Sequence, residues 1–208
     1  MDRKDYIIRM ETPADYRAAE NLTRDAFWNV YRPGCTEHYV LHQFRQRPEF
    51  IPELDLVMEK GGEIIGHIMY VRSHISSDSG LEIPTATFGP ISISPEYQKM
   101  GYGKALLDFS LERAAALNFG AICIEGDIGF YGKSGFIQAN SAGLRYYSSK
   151  DGEAAPFFLC RELKPRFLSG VTGTYRPPSG YFVDASRAEA FDALFPPKEK
   201  LRLPGQLF

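Results

Sequence analysis

Two glycines one residue apart, Gly101 and Gly103, stand directly before an apolar run, Ala105, Leu106 and Leu107, in the stretch from Gly89 to Lys104. Residues of these types at this spacing suit the capture of an anion. The first turn of a helix carries four backbone N–H groups without intrahelical partners, and the aligned peptide dipoles place roughly half a positive charge there. Phosphate oxygens fit such a terminus, and glycines remove the side chains that would hold a phosphate away from the amides. On its own, a Gly-x-Gly pair reads better as a tight turn, because short motifs recur by chance.

The elements around the pair must decide between the two. Ile91 and Ile93 alternate with Ser92 and Ser94 as in a strand, Pro95 stops it, and helical spacing resumes at Ala105. Upstream, Tyr6 to Met10 reads as a strand. Thr12-Pro13 opens a helix with an N-cap and a proline in its first turn, followed by Leu22, Ala26 and Phe27 at apolar spacing. A second helix starts near Thr36, whose hydroxyl is placed to cap it, with Tyr39, Val40 and Phe44 on the following face. Leu54 to Glu59 and Ile64 to Val71 read as strands across Lys60-Gly61-Gly62, a hairpin signal. Ser76 to Gly80 is a further turn, and Ile83 to Ser94 a long strand interrupted near Gly89-Pro90. Beyond the glycine pair, Leu107, Leu111, Ala114 and Leu117 form a core stripe that ends at Asn118-Phe119-Gly120. Ala121 to Glu125 is a buried strand, Asp127 to Ser134 a short segment of helical character, and Phe157 to Arg161 a final apolar strand.

Two other patterns imitate chemistry. Gly126 to Ser134 ends in Gly-Lys-Ser like a nucleotide-binding phosphate loop, but five residues separate Gly126 from Gly132 where that loop needs four, and Asp127 would repel phosphate. Gly135-Phe136-Ile137 also reads as a turn into a strand rather than into a helix. Cys35, Cys123 and Cys160 are odd in number and widely spaced, without a Cys-x-x-Cys pair, so they read as reduced thiols and no metal site is expected. Cys35 has His38 nearby, yet nothing in the sequence supplies a third orienting group or an oxyanion hole, and a loop residue before a helix is the better reading.

Set in that strand–turn–helix context, Gln98 to Gly103 resembles the Gln/Arg-x-x-Gly-x-Gly/Ala signature of the GCN5-related N-acetyltransferase (GNAT) superfamily. Phe130 to Phe136 adds a second likeness, to the superfamily's Tyr-x-x-x-Gly-Phe element, in the right order. The resemblance covers Tyr6 to Leu163. It implies an α/β architecture, a mixed, mostly antiparallel twisted sheet flanked by helices, and direct transfer of an acetyl group from the cosubstrate acetyl-CoA to an amine acceptor, a small molecule or a protein. By the same resemblance, main-chain groups of Ile91, Ser92 and Ile93 meet the pantetheine arm, and Gln98, Lys99, Met100, Gly101, Tyr102, Gly103 and Lys104 hold the pyrophosphate. Tyr131 takes the place of the phenol near the thioester sulfur. A phenol with an ordinary pKa of about 10 starts protonated and can donate. The other reading of Tyr131 is an aromatic packed beside Phe130 and Phe136. The general base stays open among Glu125, Asp127, Glu82, His67, His74 and water. The rival from another class is an acyl-CoA-binding module that keeps the fold without turnover.

With 208 residues, 44% hydrophobic, the chain suits one substantial core. A net charge of −2 gives no case for nucleic acid or an anionic membrane surface, and no apolar run reaches the ~20 residues needed to span a bilayer. A cytoplasmic protein is expected. Residues 1–163 read as the transferase domain. The tail, 164–208, carries Tyr175, Tyr181, Phe182, Phe191 and Phe195, too aromatic for a disordered segment. It reads as an appendage packed on the same domain, across the substrate cleft or at the contact of a homodimer.

Overall fold

The computed structural model describes residues 5–150 and 153–207. They form two compact units, the first from residues 5–69, 90–106 and 179–207, the second from 70–89, 107–150 and 153–178. The fold is mixed α/β with a mostly antiparallel open sheet flanked by helices.

In the first unit β1 (Ile7–Met10), β2 (Leu56–Lys60) and the start of β3 (Glu63–Ser77) lie antiparallel in that order, with Ile8 opposite Met58. Lys60 pairs with Glu63 across Gly61 and Gly62, both at positive φ, which is the two-residue hairpin the sequence predicts. Helix α1 (Tyr16–Phe27) begins three residues later than Pro13. The reason is Asp15, whose carboxylate accepts from the Thr12 N–H at 2.9 Å, the Thr12 hydroxyl at 2.7 Å and the Arg9 guanidinium, so Thr12 serves a turn instead of a cap. Helix α2 (Glu37–Phe44) does start after Thr36, but the Thr36 hydroxyl caps nothing. The Thr36 carbonyl instead accepts from the Tyr39 and Val40 amides, and the Glu37 carboxylate takes the Thr36 N–H at 2.8 Å. The unit also holds the end of β4 (Glu82–Ile93), the first turn of α3 (Tyr102–Ala116) and α5 (Ala185–Asp192), capped by Asp184.

The second unit carries the rest of β3, β4 and α3. Beside β4 lies β5 (Ala121–Glu125), parallel to it with Ala86 opposite Ile122, and β8 (Phe158–Glu162) runs antiparallel to β5 over five residue pairs. β6 (Ile137–Gln138) joins β8, and β9 (Gly173–Tyr175) pairs with both β3 and β7 (Leu144–Tyr146). A core of Cys123, Phe158, Tyr146 and Tyr175 fills this side, with Phe158 stacked on Tyr175 at 5.0 Å. The strand at 158–162 is therefore not the last, since β9 lies in the tail. β4 is continuous where an interruption was expected, because Gly89 accommodates a φ of 150° within it. Leu107, Leu111 and Ala114 are buried as the stripe predicts, but Leu117 is 42% exposed. Helix α3 has already ended there, with Asn118 left-handed and the Phe119 amide bonded back to Ala114. Among the described residues no helix is long and apolar enough to cross a membrane.

Candidate cofactor and catalytic sites

In the first unit the chain leaves β4 at Ile93 and passes through a short 3-10 turn, Pro95–Tyr97, before α3. Lys99 and Gly101 adopt φ values of 61° and 92°, a left-handed conformation that costs a residue with a Cβ roughly 1–2 kcal/mol. Among the described residues, a Cβ on Gly101 would meet no atom within 4 Å. The backbone turn, not crowding, therefore demands glycine, and the ground above it is open to a ligand. The Ala105 amide closes the first helical bond to the Gly101 carbonyl at 3.0 Å, which places the preceding residues at the positive end of the helix dipole.

Two side chains hold this turn, and a third ties the strand before it to the core. Gln98 Nε2 donates to the Ile93 carbonyl at 3.1 Å, bracing the strand end against the loop. Ser92 is buried, its hydroxyl 2.9 Å from that of Thr23 on α1, so its side chain serves the core. Tyr102 accepts from Lys60 Nζ at 2.6 Å and sets its ring edge-on to Tyr97, fastening the start of α3 to β2. Sequence reasoning placed Tyr102 in the loop but missed this anchor, for which no local spacing gives a signal. Lys99, Met100 and Lys104 are exposed and Gly103 and Ile91 partly so.

In the second unit Tyr131 ends α4 (Ile128–Tyr131), whose first turn is capped by Asp127 accepting from the Gly129 amide at 2.9 Å. The Tyr131 ring lies on Gly126, where a Cβ would come within 2.3 Å of a ring carbon. Phe130, Phe88 and Phe136 surround it at 4.9, 5.7 and 5.7 Å between centroids. The same strand end holds Glu125, which accepts from the Tyr146 hydroxyl at 2.7 Å, and burial followed by this carboxylate pushes the Tyr146 phenol up. Gly135, at φ 81°, turns the chain into β6 and not into a helix, as expected of a false phosphate loop.

The remaining candidates separate clearly. His74 and Glu82 form an exposed pair at 3.6 Å. His67 is fully buried, with Nε2 2.8 Å from Asp55 and 3.7 Å from Glu11. Burial opposes its charge, but hydrogen bonds and attraction from those two carboxylates outweigh burial and raise it to about 9. At neutral pH His67 already carries its proton and is no base. Arg45 completes the cluster, at 2.9 Å from both Glu11 and Glu20. The Glu11, Asp55 and His67 donor atoms lie within 4.8 Å of one another, as metal ligands would, but Arg45 supplies the positive charge there.

Cys35 corrects an expectation. A third group does exist, since His38 Nδ1 lies 3.4 Å from the thiol and Nε2 lies 3.1 Å from Asp192 of the tail, at an angle too poor for a hydrogen bond. Burial pushes the Cys35 thiol up to about 12 and His38 down to about 4, so the pair is neutral and the thiol is not a nucleophile.

Known proteins are similar to this chain at two levels. A stretch of the Escherichia coli uncharacterized N-acetyltransferase YjhQ is 27% identical over 86 residues, which is 41% of this chain and 46% of that protein's length. The structure of the GNAT family N-acetyltransferase YhbS from Escherichia coli, in complex with CoA, superposes with a TM-score of 0.74 at 21% identity over 88% of this chain and 96% of that one. A GNAT family acetyltransferase from Brucella melitensis in complex with acetyl-CoA gives 0.67 at 23% identity over 86% and 99%. The acetyltransferase (GNAT) family profile matches residues 20–136, more than half of the chain and the whole of the left-handed turn, and on that match the protein belongs to the GNAT family.

Proposed function

We propose that the protein transfers an acetyl group from acetyl-CoA directly to a primary amine of a small molecule or a protein. The observation that carries this reading is the left-handed turn at Gly101, open above and ending on the dipole of α3. In this reading Gln98 to Lys104 wrap the pyrophosphate, and main-chain groups of Ile91, Ser92 and Ile93 align the pantetheine arm. That two structures of similar fold hold CoA and acetyl-CoA supports the choice of cosubstrate. The neutral amine attacks the thioester carbon, the C–N bond forms and the C–S bond breaks; the nitrogen's surplus proton leaves to water, and Tyr131 gives its proton to the departing thiolate and regains one from solvent. Residues 1–163 are the transferase domain and 164–208 an appendage to it, in a cytoplasmic protein.

A panel of amines scored by thiol release and by mass of the acetylated product tests the reading. Turnover on at least one amine is expected. Tight acetyl-CoA binding without turnover on any amine would convert the protein into a binding module. Tyr131→Phe keeps the ring on Gly126 and removes one proton. It should lower turnover 10²–10⁴-fold if the phenol is a positioned acid, against about 1 kcal/mol in binding for a lost neutral hydrogen bond. A donor with a more acidic leaving thiol should shrink that loss, and an equal loss with both donors would leave Tyr131 a positioning residue.

A further inference from the structure

We infer that the concavity between α2 and α5 in the first unit binds a planar organic anion, a carboxylate or phosphate carried on a flat body. The cavity measures about 430 Å³ and is lined by Tyr39, His42, Gln43, Arg47, Arg187 and Phe191. Its two guanidinium groups come from separate elements, Arg47 from just beyond α2 and Arg187 from the first turn of α5. Several arginines elsewhere are matched to acids: Arg9 to Asp15 and Glu59, Arg24 to Asp192, Arg45 to Glu11 and Glu20, Arg145 to Asp78. Among the described residues neither Arg47 nor Arg187 has a carboxylate within 4.0 Å, although the Arg187 charge reaches Asp184 at longer range. Arg47 donates to the Ser179 hydroxyl at 3.1 Å, and Arg187 gives its backbone amide to Asp184.

The acids nearby are already engaged. Asp184 is held by that amide and by the Ser186 hydroxyl, and Glu20 by Arg45 and His42. Among the described residues no carboxylate lines the cavity. Two forked donors facing one space with no carboxylate in its lining are the geometry that carboxylates and phosphates complete, since charge-assisted bonds to guanidinium are about twice as strong as neutral ones. The wall supplies the second half of the argument. Phe191 is nearly buried, the His42 ring lies 4.3 Å from it at 33°, and Tyr39 lies 5.5 Å from it. A flat ligand body gains from such a surface what a bare ion does not.

Calorimetry on the full chain, with CoA saturating so that the Gly101 turn is blocked, tests this with phenyl phosphate, benzoate, inorganic phosphate and phenol. Saturable one-site binding of phenyl phosphate or benzoate is expected, about tenfold tighter than inorganic phosphate or phenol, and the stronger of the two arms names the anion. Arg47→Gln and Arg187→Gln should each weaken it about tenfold, while the melting temperature and CoA affinity stay unchanged. Absence of saturable binding at millimolar probe, or equal binding by the double variant, overturns the inference. So does displacement of the probe by CoA in the wild type with loss of CoA affinity in the arginine variants, which would assign these residues to the cosubstrate.

Discussion

The turn at Gly101 and the cluster around Arg45 lie in the same unit and handle charge in opposite ways. The turn is built from backbone. Gln98 and Tyr102 brace it from below, Met100 is 64% exposed, and its positive end faces open ground. The cluster is built from side chains: Glu11, Glu20 and Asp55 face Arg45 and His67, all nearly or fully buried, and each charge is met by another. The contrast separates two uses of electrostatics. A helix terminus left unsatisfied by the protein stays available to a guest, whereas a closed set of charges serves the fold and is costly to open.

Arg45→Met should produce the largest change. It removes the guanidinium that Glu11 and Glu20 share, leaving, among the described residues, Glu11 only His67 at 3.7 Å and Glu20 only His42 at 3.2 Å and Arg17 at 4.0 Å, and breaking a buried pair from one side typically costs about 3–5 kcal/mol. Urea unfolding measures this, and acetyl-CoA affinity of the folded fraction should be unaltered. A variant as stable as the wild type would erase the contrast, since the cluster would then contribute as little as an exposed pair.

Next in size is the pH response of the same cluster. Because His67 is raised from an ordinary 6.5 to about 9 in the folded protein, its contribution is complete below pH 6.5 and is lost as the pH climbs through 9. Unfolding free energy should fall over that window by about 3 kcal/mol. His67→Gln should be less stable at pH 6 and should lack that fall. A parallel slope in both proteins would mean that His67 is neutral in the cluster.

Gly101→Val should show the smallest stability effect and the most selective loss. A branched side chain at φ 92° is strained by roughly 1–2 kcal/mol. The loop can relieve this by leaving its left-handed shape, and acetyl-CoA affinity should then fall about tenfold or more while the melting temperature barely moves. Unchanged affinity in the folded variant would remove the anion site from the turn altogether.

The sequence discloses the molecule along the same division. The Gly101 turn is local, so Ile91, Pro95, the glycines and the Leu107 stripe announce strand, stop and helix within a few residues of one another. Tyr131 is legible as an aromatic of the short segment after β5, but its seat on Gly126 depends on the fold of α4. The Arg45 cluster gathers residues 11, 20, 45, 55 and 67 from separate elements, and no spacing links them. His67 accordingly looked like a candidate base. The strands β6, β7 and β9 are two or three residues long and exist because a partner pairs with them, which periodicity cannot register. Thr12 and Thr36 are acceptable caps by type. Nearby carboxylates, Asp15 and Glu37, bind the backbone amides of those threonines instead.

The segmented make-up of the two units bears on the order in which they are completed during synthesis. The second unit has all its segments once residue 178 has emerged, whereas the first, which contains the Gly101 turn, still lacks α5 and everything after it. His38 and Arg24 then wait for Asp192, contacts separated by more than 150 positions in the chain. Pairings this distant in sequence close late and slowly. A nascent chain halted near residue 178 would therefore present α1 and α2 without their cover, and the unit that carries the turn would be the last part of the molecule to become resistant to protease.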